Sequence, residues 1–290
     1  WGSALSYAGR KFGLTVRVFM VRNSFQSKPM RQHMMRMFNG EVEPSPGEHT
    51  ESGRKFLKDR KNFSGSLGMA ISEAIEIVLN SKTKKYSLGS VLDHVLLHQT
   101  VIGLEIEKQL EILGEKPSSI LGCLGGGSNF DGSILPFVKR VFEGEEIEFV
   151  ACEPESCPTL SKGEYRYDSG DTAGFTPLLK MYTLGREFVP PAIHAGGLRY
   201  HGAAPLVSRL VKEGIVTPEA FPQEETFKAG LLCATTEGIV PAPESTHAIA
   251  GAVRRAIEAR KNREEKVIVF TLSGNGVLDL SSYTSTIEAH

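Results

Sequence analysis

The chain has 290 residues with 33 Lys and Arg against 34 Asp and Glu, a formal net charge of −1, and 40% hydrophobic content. Such a balance, with no block of like charge, offers no field to capture nucleic acid or an anionic membrane, and no run approaches the length of apolar residues that spans a bilayer. The four cysteines form no C-x-x-C pair, which points to reduced thiols in a cytoplasmic protein and to neither disulfide nor zinc site. The chain opens at Trp1-Gly2-Ser3-Ala4 and runs straight into an amphipathic segment, which reads as a domain entered partway, with sequence upstream of Trp1.

Apolar β-branched runs alternate with segments of helical period, so the expected class is α/β with parallel strands joined by helices. A helix over 4–12 stops at Gly13, a strand follows over 14–21, and a second helix over 29–38 precedes Asn39-Gly40. Met30, Met34, Met35 and Met37 in that second helix read as core filler. A short strand over 42–46 and helices over 48–58 and 69–79 come next, then a polar stretch over 80–85 that suits a seam between lobes. The resulting division is 1–97 and 98–290. Beyond it, the pattern predicts helices over 100–113 and 133–142 and a strand over 147–152. Residues 158–191 read as loops and short helices near a site mouth. A helix over 204–211, a strand over 228–235, a helix over 246–260 and a strand over 266–272 close the chain.

The chemistry concentrates in Gly122-Cys123-Leu124-Gly125-Gly126-Gly127-Ser128-Asn129, which follows the apolar Ile120 and Leu121. Glycines without Cβ let backbone amides converge on one anion, Ser128 and Asn129 add donors, and the next helix aims its positive end at the same point. Neither G-x-x-x-x-G-K-[ST] nor G-x-G-x-x-G is present, so a compact monophosphate fits better than a nucleotide triphosphate or dinucleotide. The plain alternative is a glycine-rich turn that binds nothing. A second segment ends in Thr271-Leu272-Ser273-Gly274-Asn275-Gly276, placing the Ser273 hydroxyl at the carboxyl end of a strand, where α/β sheets gather ligands. It either meets a heterocycle nitrogen or only caps a turn. The third segment, Glu237-Gly238-Ile239-Val240-Pro241-Ala242-Pro243-Glu244-Ser245-Thr246-His247, sets two carboxylates and a histidine around a proline-rich turn, and alone it reads as a solvated loop before a capped helix. No G-x-S-x-G elbow supports a hydrolase. His94 and His98 lie one helical turn apart without a third ligand at metal-site spacing, so they read as a packed or capping pair.

Together, in this order and spacing, these three segments resemble the tryptophan synthase beta chains. Leu88-Gly89-Ser90-Val91, Gln99-Thr100-Val101-Ile102-Gly103 and Ala195-Gly196-Gly197-Leu198-Arg199-Tyr200-His201-Gly202 extend the resemblance over nearly the whole chain, and His98-Gln99-Thr100 with 198–202 is similar to the divergent second type. The resemblance implies a pyridoxal-phosphate enzyme of fold type II, with two lobes each built on a mostly parallel sheet flanked by helices, joining indole to L-serine with loss of water. Other fold type II activities, a threonine synthase or serine dehydratase, and a non-catalytic phosphate-binding chain are the alternatives.

By that resemblance, Gly125, Gly126, Gly127, Ser128 and Asn129 hold the cofactor phosphate, Ser273 meets the pyridine nitrogen and Glu237 lies beside the ring. A neutral hydroxyl at that nitrogen makes the ring a weaker electron sink than a carboxylate would, which favours β-replacement over transamination. Trp1 ends the loop that grips the substrate carboxylate, and residues 2 to about 60 form a mobile closing subdomain. A homodimer, a weak or absent alpha subunit and a monovalent cation are further implications. Two departures stand out: the lysine that carries the cofactor belongs to a family segment before Trp1, so no catalytic residue is assigned in this chain, and Arg199 occupies the place of an aspartate used in closure.

Overall fold

A computed structural model describes residues 1–59 and 63–288, so the expected ends of the closing subdomain near 60 and of the second lobe at 290 fall outside the described residues. The chain begins with α1 (Gly2–Phe12), and β1 (Arg17–Val21) pairs in parallel with β2 (Glu41–Ser45). Between the strands run α2 (Arg22–Ser27), which carries no apolar period to announce it, and α3 (Pro29–Met37). Of the methionines on α3, Met35 is in the core, whereas Met30 and Met37 are 53% and 80% exposed; one face of the helix turns inward and the set is not core filler as a whole.

Next come α4 (Glu51–Leu57) and α5 (Leu67–Leu79), each capped by a side chain: Thr50 Oγ1 accepts from the Gly53 amide at 2.9 Å and Ser66 Oγ from the Met69 amide at 3.2 Å. The buried Glu73 of α5 ties these pieces together, accepting from Ser45 Oγ, from the Gly47 amide at 3.1 Å and from Thr50 Oγ1 at 2.7 Å. Burial raises its pKa despite these bonds. The chain is irregular over 81–92. α6 (Asp93–Leu113) starts seven residues earlier than its pattern suggests, so a boundary at 97/98 would cut a helix.

The larger sheet follows in the order β3 (Ser119–Cys123), α7 (Ser128–Phe142), β4 (Glu148–Pro154) and α8 (Thr159–Lys162). Residues expected as loops then form an antiparallel pair, β5 (Glu164–Ser169) with β6 (Leu178–Thr183), in which Tyr165 and Tyr182 stack across the strands at 5.2 Å. Neither strand alternates cleanly in burial, with Glu164 and Tyr167 exposed on β5 and Leu178 exposed on β6, so no two-residue period shows there. α9 (Pro205–Lys212), β7 (Val216–Phe221), α10 (Gln223–Glu237), α11 (Thr246–Asn262), β8 (Ile268–Phe270) and α12 (Thr284–Glu288) complete the chain.

The expected strand at 228–235 is wrong, because that run belongs to α10. Glu224 and Glu225 favour its positive end, Gly238 closes it in a left-handed conformation, and Phe227, Gly230 and Cys233 face inward at helical spacing. A short apolar run does not distinguish strand from helix by itself.

Among the described residues the parallel sheet has the order β7-β4-β3-β8. Both faces of β3 and β4 are covered, as a parallel sheet requires. Ile120 and Phe149 pack on one side with Phe130, Ile134 and Phe137 of α7; Leu121 and Val150 pack on the other with Ile249 of α11. Each fully buried side chain of this kind contributes roughly 1.5–3 kcal/mol. β8 is less buried than its apolar sequence suggests and pairs through three residues, Leu121 opposite Phe270 at its end. α6 crosses α7 at two glycines: a Cβ on Gly103 would stand 2.6 Å from the Ser133 carbonyl oxygen, and one on Gly132 would stand 2.5 Å from that of Gln99. That contact fixes Gln99 over the first turn of α7.

Candidate active site

At its carboxyl end β3 gives way to residues 124–127, and α7 begins at Ser128. Gly125, Gly126, Gly127 and Ser128 are all buried. Gly127 turns the chain with φ +117, a conformation that only glycine adopts without strain. Side chains are excluded at the two preceding positions, since a Cβ on Gly125 would lie 2.4 Å from the Gly197 carbonyl oxygen and one on Gly126 would lie 2.4 Å from Ser90 Oγ. The loop is therefore a cradle walled by residues 90–91 and 197–198.

Its own polar groups are partly committed. The Ser128 amide donates to the Ser90 carbonyl at 3.2 Å, Ser128 Oγ accepts from Gln99 Nε2 at 3.1 Å, and Asn129 Nδ2 donates to Thr271 Oγ1 at 3.2 Å. The amides of Gly125, Gly126, Gly127 and Asn129 donate to no acceptor among the described residues. Buried backbone donors such as those of the three glycines are rarely left so, and with the first-turn Asn129 amide at the positive end of a 15-residue helix they suit a phosphate.

Ser273 stands at the same edge. Its Oγ lies 3.8 Å from Cys123 Sγ and 3.2 Å from Ser245 Oγ. Cup and hydroxyl thus occupy neighbouring carboxyl ends of β3 and β8. Burial pushes the Cys123 thiol up to about 12; the Ser273 hydroxyl lowers it and the Glu244 charge raises it. It stays a neutral thiol.

Glu237 is not in this arrangement. It sits exposed in the last turn of α10, where its charge acts on Cys233. The carboxylate that flanks the cup is Glu244, whose Oε1 accepts from the Gly197 amide at 2.9 Å while the carbonyl of Gly197 faces Gly125. The sequence holds the distinguishing signal: Glu237 precedes the glycine that ends a helix, whereas Glu244 immediately precedes a helix start at the ligand edge of the sheet. His247 follows in α11, its Nδ1 3.1 Å from the Glu244 carbonyl, and burial lowers its pKa to about 4. A cavity of about 250 Å³ opens beside it, walled by Ile193, Ala195, Phe221 and Phe227.

Trp1 packs its ring on Gly89, next to the Ser90 that walls the cup. Arg199 is buried; Nη2 donates to the Pro190 carbonyl at 2.6 Å, Nε and Nη1 have no partner among the described residues, and burial lowers its pKa. Its hydrogen bond stays within its own loop. His94 and His98 are both exposed on α6, with His98 Nδ1 2.7 Å from the His94 carbonyl, and no metal-binding cluster occurs among the described residues. No described helix is long and apolar enough to cross a membrane.

Comparison with known proteins bears on this geometry. The family profile described as pyridoxal-phosphate dependent enzyme matches residues 1–274. The chain belongs to that family. Within it, the chain is 65% identical over 283 residues to the tryptophan synthase beta chain 2 of Thermotoga maritima, covering 98% of this chain and 67% of the relative. It is 57% identical over 289 residues to the tryptophan synthase beta chain 2 of Methanothermobacter thermautotrophicus, covering 99% and 67%. This pyridoxal-phosphate enzyme thus spans about two thirds of the length of those relatives.

Two solved structures share its fold. One is a threonine deaminase from T.th., with TM-score 0.64, 18% identity and coverage of 94% of this chain and 74% of that one. The other is an L-serine ammonia-lyase from Rhizomucor miehei, with TM-score 0.69, 14% identity and coverage of 98% and 78%. The fold is fold type II, α/β with parallel sheets flanked by helices. The cradle, its free amides and the nearby neutral hydroxyl fit a cofactor with one phosphate and one ring nitrogen.

Proposed function

We propose that this chain belongs to an enzyme that joins indole to the β-carbon of L-serine, releasing water and forming L-tryptophan. The observation that carries the reading is the shared edge: the glycine cup and Ser273 lie at neighbouring strand ends, in a chain 65% identical to a tryptophan synthase beta chain 2. Pyridoxal phosphate supplies an electron sink for the substrate α-carbon.

Residues 125–129 would hold its phosphate and Ser273 would orient its ring through the pyridine nitrogen. As a neutral donor or acceptor, the Ser273 hydroxyl does not enforce a charge there. Glu244 takes the place expected of Glu237. Trp1, against Gly89, would end the loop facing the substrate carboxylate, and residues 2–59 would close over the site to exclude water. We place the lysine that carries the cofactor upstream of Trp1. The separate sheets support two lobes, with the seam in the irregular 81–92 rather than at 97/98. A cytoplasmic homodimer with a weak or absent alpha subunit, and a monovalent cation, complete the reading and rest on the resemblance alone.

The test is turnover of L-serine by the full-length protein with and without indole. Tryptophan formed in step with indole consumption is expected; pyruvate and ammonia as sole products in the presence of indole would overturn the reading.

A further inference from the structure

α2 and α3 are separated by Lys28, which has φ −125 and ψ 60 and precedes Pro29, whose ring keeps the residue before it out of the helical region. The break turns the Lys28 side chain inward, to 8% exposure. Its ammonium lies 3.4 Å from Glu244 Oε1 and 3.3 Å from Asp279 Oδ1. Arg31, in the first turn of α3, pairs with Asp279 Oδ2. Two cations from α2–α3 therefore meet two carboxylates from the far half of the chain, and a buried ammonium persists only when so paired.

The same contact reaches the cup. A Cβ on Gly196 would stand 2.9 Å from Ser24 Oγ and 3.7 Å from Lys28 Cε, and on the next residue the amide binds Glu244 while the carbonyl faces Gly125. Lys28, Glu244, Gly197 and Gly125 form one contiguous line from α2–α3 to the cup.

We propose that Lys28 is a positioning residue: it docks segment 22–31 against the 196–197 turn and holds Glu244 on the Gly197 amide, so that the cup's wall and the closing segment are set by one ammonium. Its kinetic consequence rests on the function proposed above; its structural consequence does not. Without Lys28, Glu244 keeps its hydrogen bond from the Gly197 amide and Asp279 its pairing with Arg31, but nothing among the described residues joins the two carboxylates.

The test compares full-length wild type with Lys28→Met and Lys28→Arg. In protein without added cofactor, hydrogen exchange of the Gly197 amide and of amides 24–31 is expected to quicken together, roughly tenfold or more, in Lys28→Met, with Lys28→Arg within about threefold of wild type. With pyridoxal phosphate, serine and indole, Lys28→Met raises KM for serine about tenfold with a smaller change in kcat, and Lys28→Arg recovers most of it. Unchanged exchange at Gly197 in Lys28→Met overturns the proposal. If Lys28→Met does not fold, wild-type exchange decides: a common opening free energy for Gly197 and 24–31 supports the coupling, and separate openings refute it. A wild type that makes no tryptophan refutes the proposed function while leaving the exchange comparison in force.

Discussion

Ser273 Oγ stands 3.8 Å from Cys123 Sγ, which brings the residues at the ends of two parallel strands to one point on the sheet edge. A ring oriented by the Ser273 hydroxyl loses one net hydrogen bond in Ser273→Ala, worth about 0.5–1.5 kcal/mol. Tryptophan formation by the full-length enzyme is expected to fall about three- to tenfold in kcat/KM. Ser273→Asp is expected to divert turnover toward the amine form of the cofactor, read from its absorbance; an unaltered product ratio would count against the role of this hydroxyl.

The cradle at Gly125 and Gly126 admits no side chain. Since a Cβ at either position meets an oxygen at 2.4 Å, Gly126→Ala forces the loop away from Ser90. A cost of about 1–3 kcal/mol in stability and at least a tenfold weaker uptake of pyridoxal phosphate are expected. Thermal melts and cofactor titration measure the two separately.

Glu244 and Glu237 give opposite outcomes. Glu237→Gln, on an exposed helix end, leaves stability within about 0.5 kcal/mol and kcat/KM within about twofold. Glu244→Gln weakens the charge-assisted bond to the Gly197 amide, and a loss of at least tenfold in kcat/KM is expected. Equal effects of the two substitutions would return the site to the sequence-based choice.

His247 is buried neutral, its pKa lowered to about 4 by desolvation. Between the ordinary histidine value near 6.5 and about 4, the unfolded chain binds a proton that the folded chain refuses, so stability falls as pH drops through that window, by roughly 3 kcal/mol in full. His247→Gln is expected to flatten this part of the stability curve. Denaturant midpoints at pH 7 and pH 5 make the comparison.

Asp131 has the reverse linkage. Neither of its buried carboxyl oxygens has a well-formed hydrogen bond among the described residues, and desolvation, then the nearby Asp93 charge, push its pKa well up against a weaker opposing pull from the Val207 amide. The folded chain keeps a proton that the unfolded chain loses above about pH 4, so this group's contribution to stability falls as pH rises. Asp131→Asn is expected to stabilise the protein at pH 8, by roughly 1–3 kcal/mol, with little difference at pH 4. A variant less stable at pH 8 would contradict this reading.

The sequence reveals what is local. Gly125 to Asn129 announce a cup because the absence of Cβ is itself the structural device, and Pro29 or Gly114 mark helix ends through their own backbone preferences. What it hides depends on partners far along the chain. Residues 228–235 form a short apolar run that is ambiguous by period, and its helical form is marked by helix-forming Ala and Leu and by an acidic start and a glycine stop outside the run. The β5–β6 pair brings Tyr165 opposite Tyr182, a cross-strand contact that no local period announces.

The crossing of α6 and α7 at Gly103 and Gly132 has a mechanical side. With carbonyls filling the space where a methyl would sit, neither helix can slide without the other. α6 has 21 residues, about 30 Å of stiff rod, with Gln99 about a third of the way along it and Leu113 at its far end. Packed on α7 at Gly103 and tied to its first turn through Gln99, this rod leaves no slack at the crossing, so the helix that carries the cup is braced along its length.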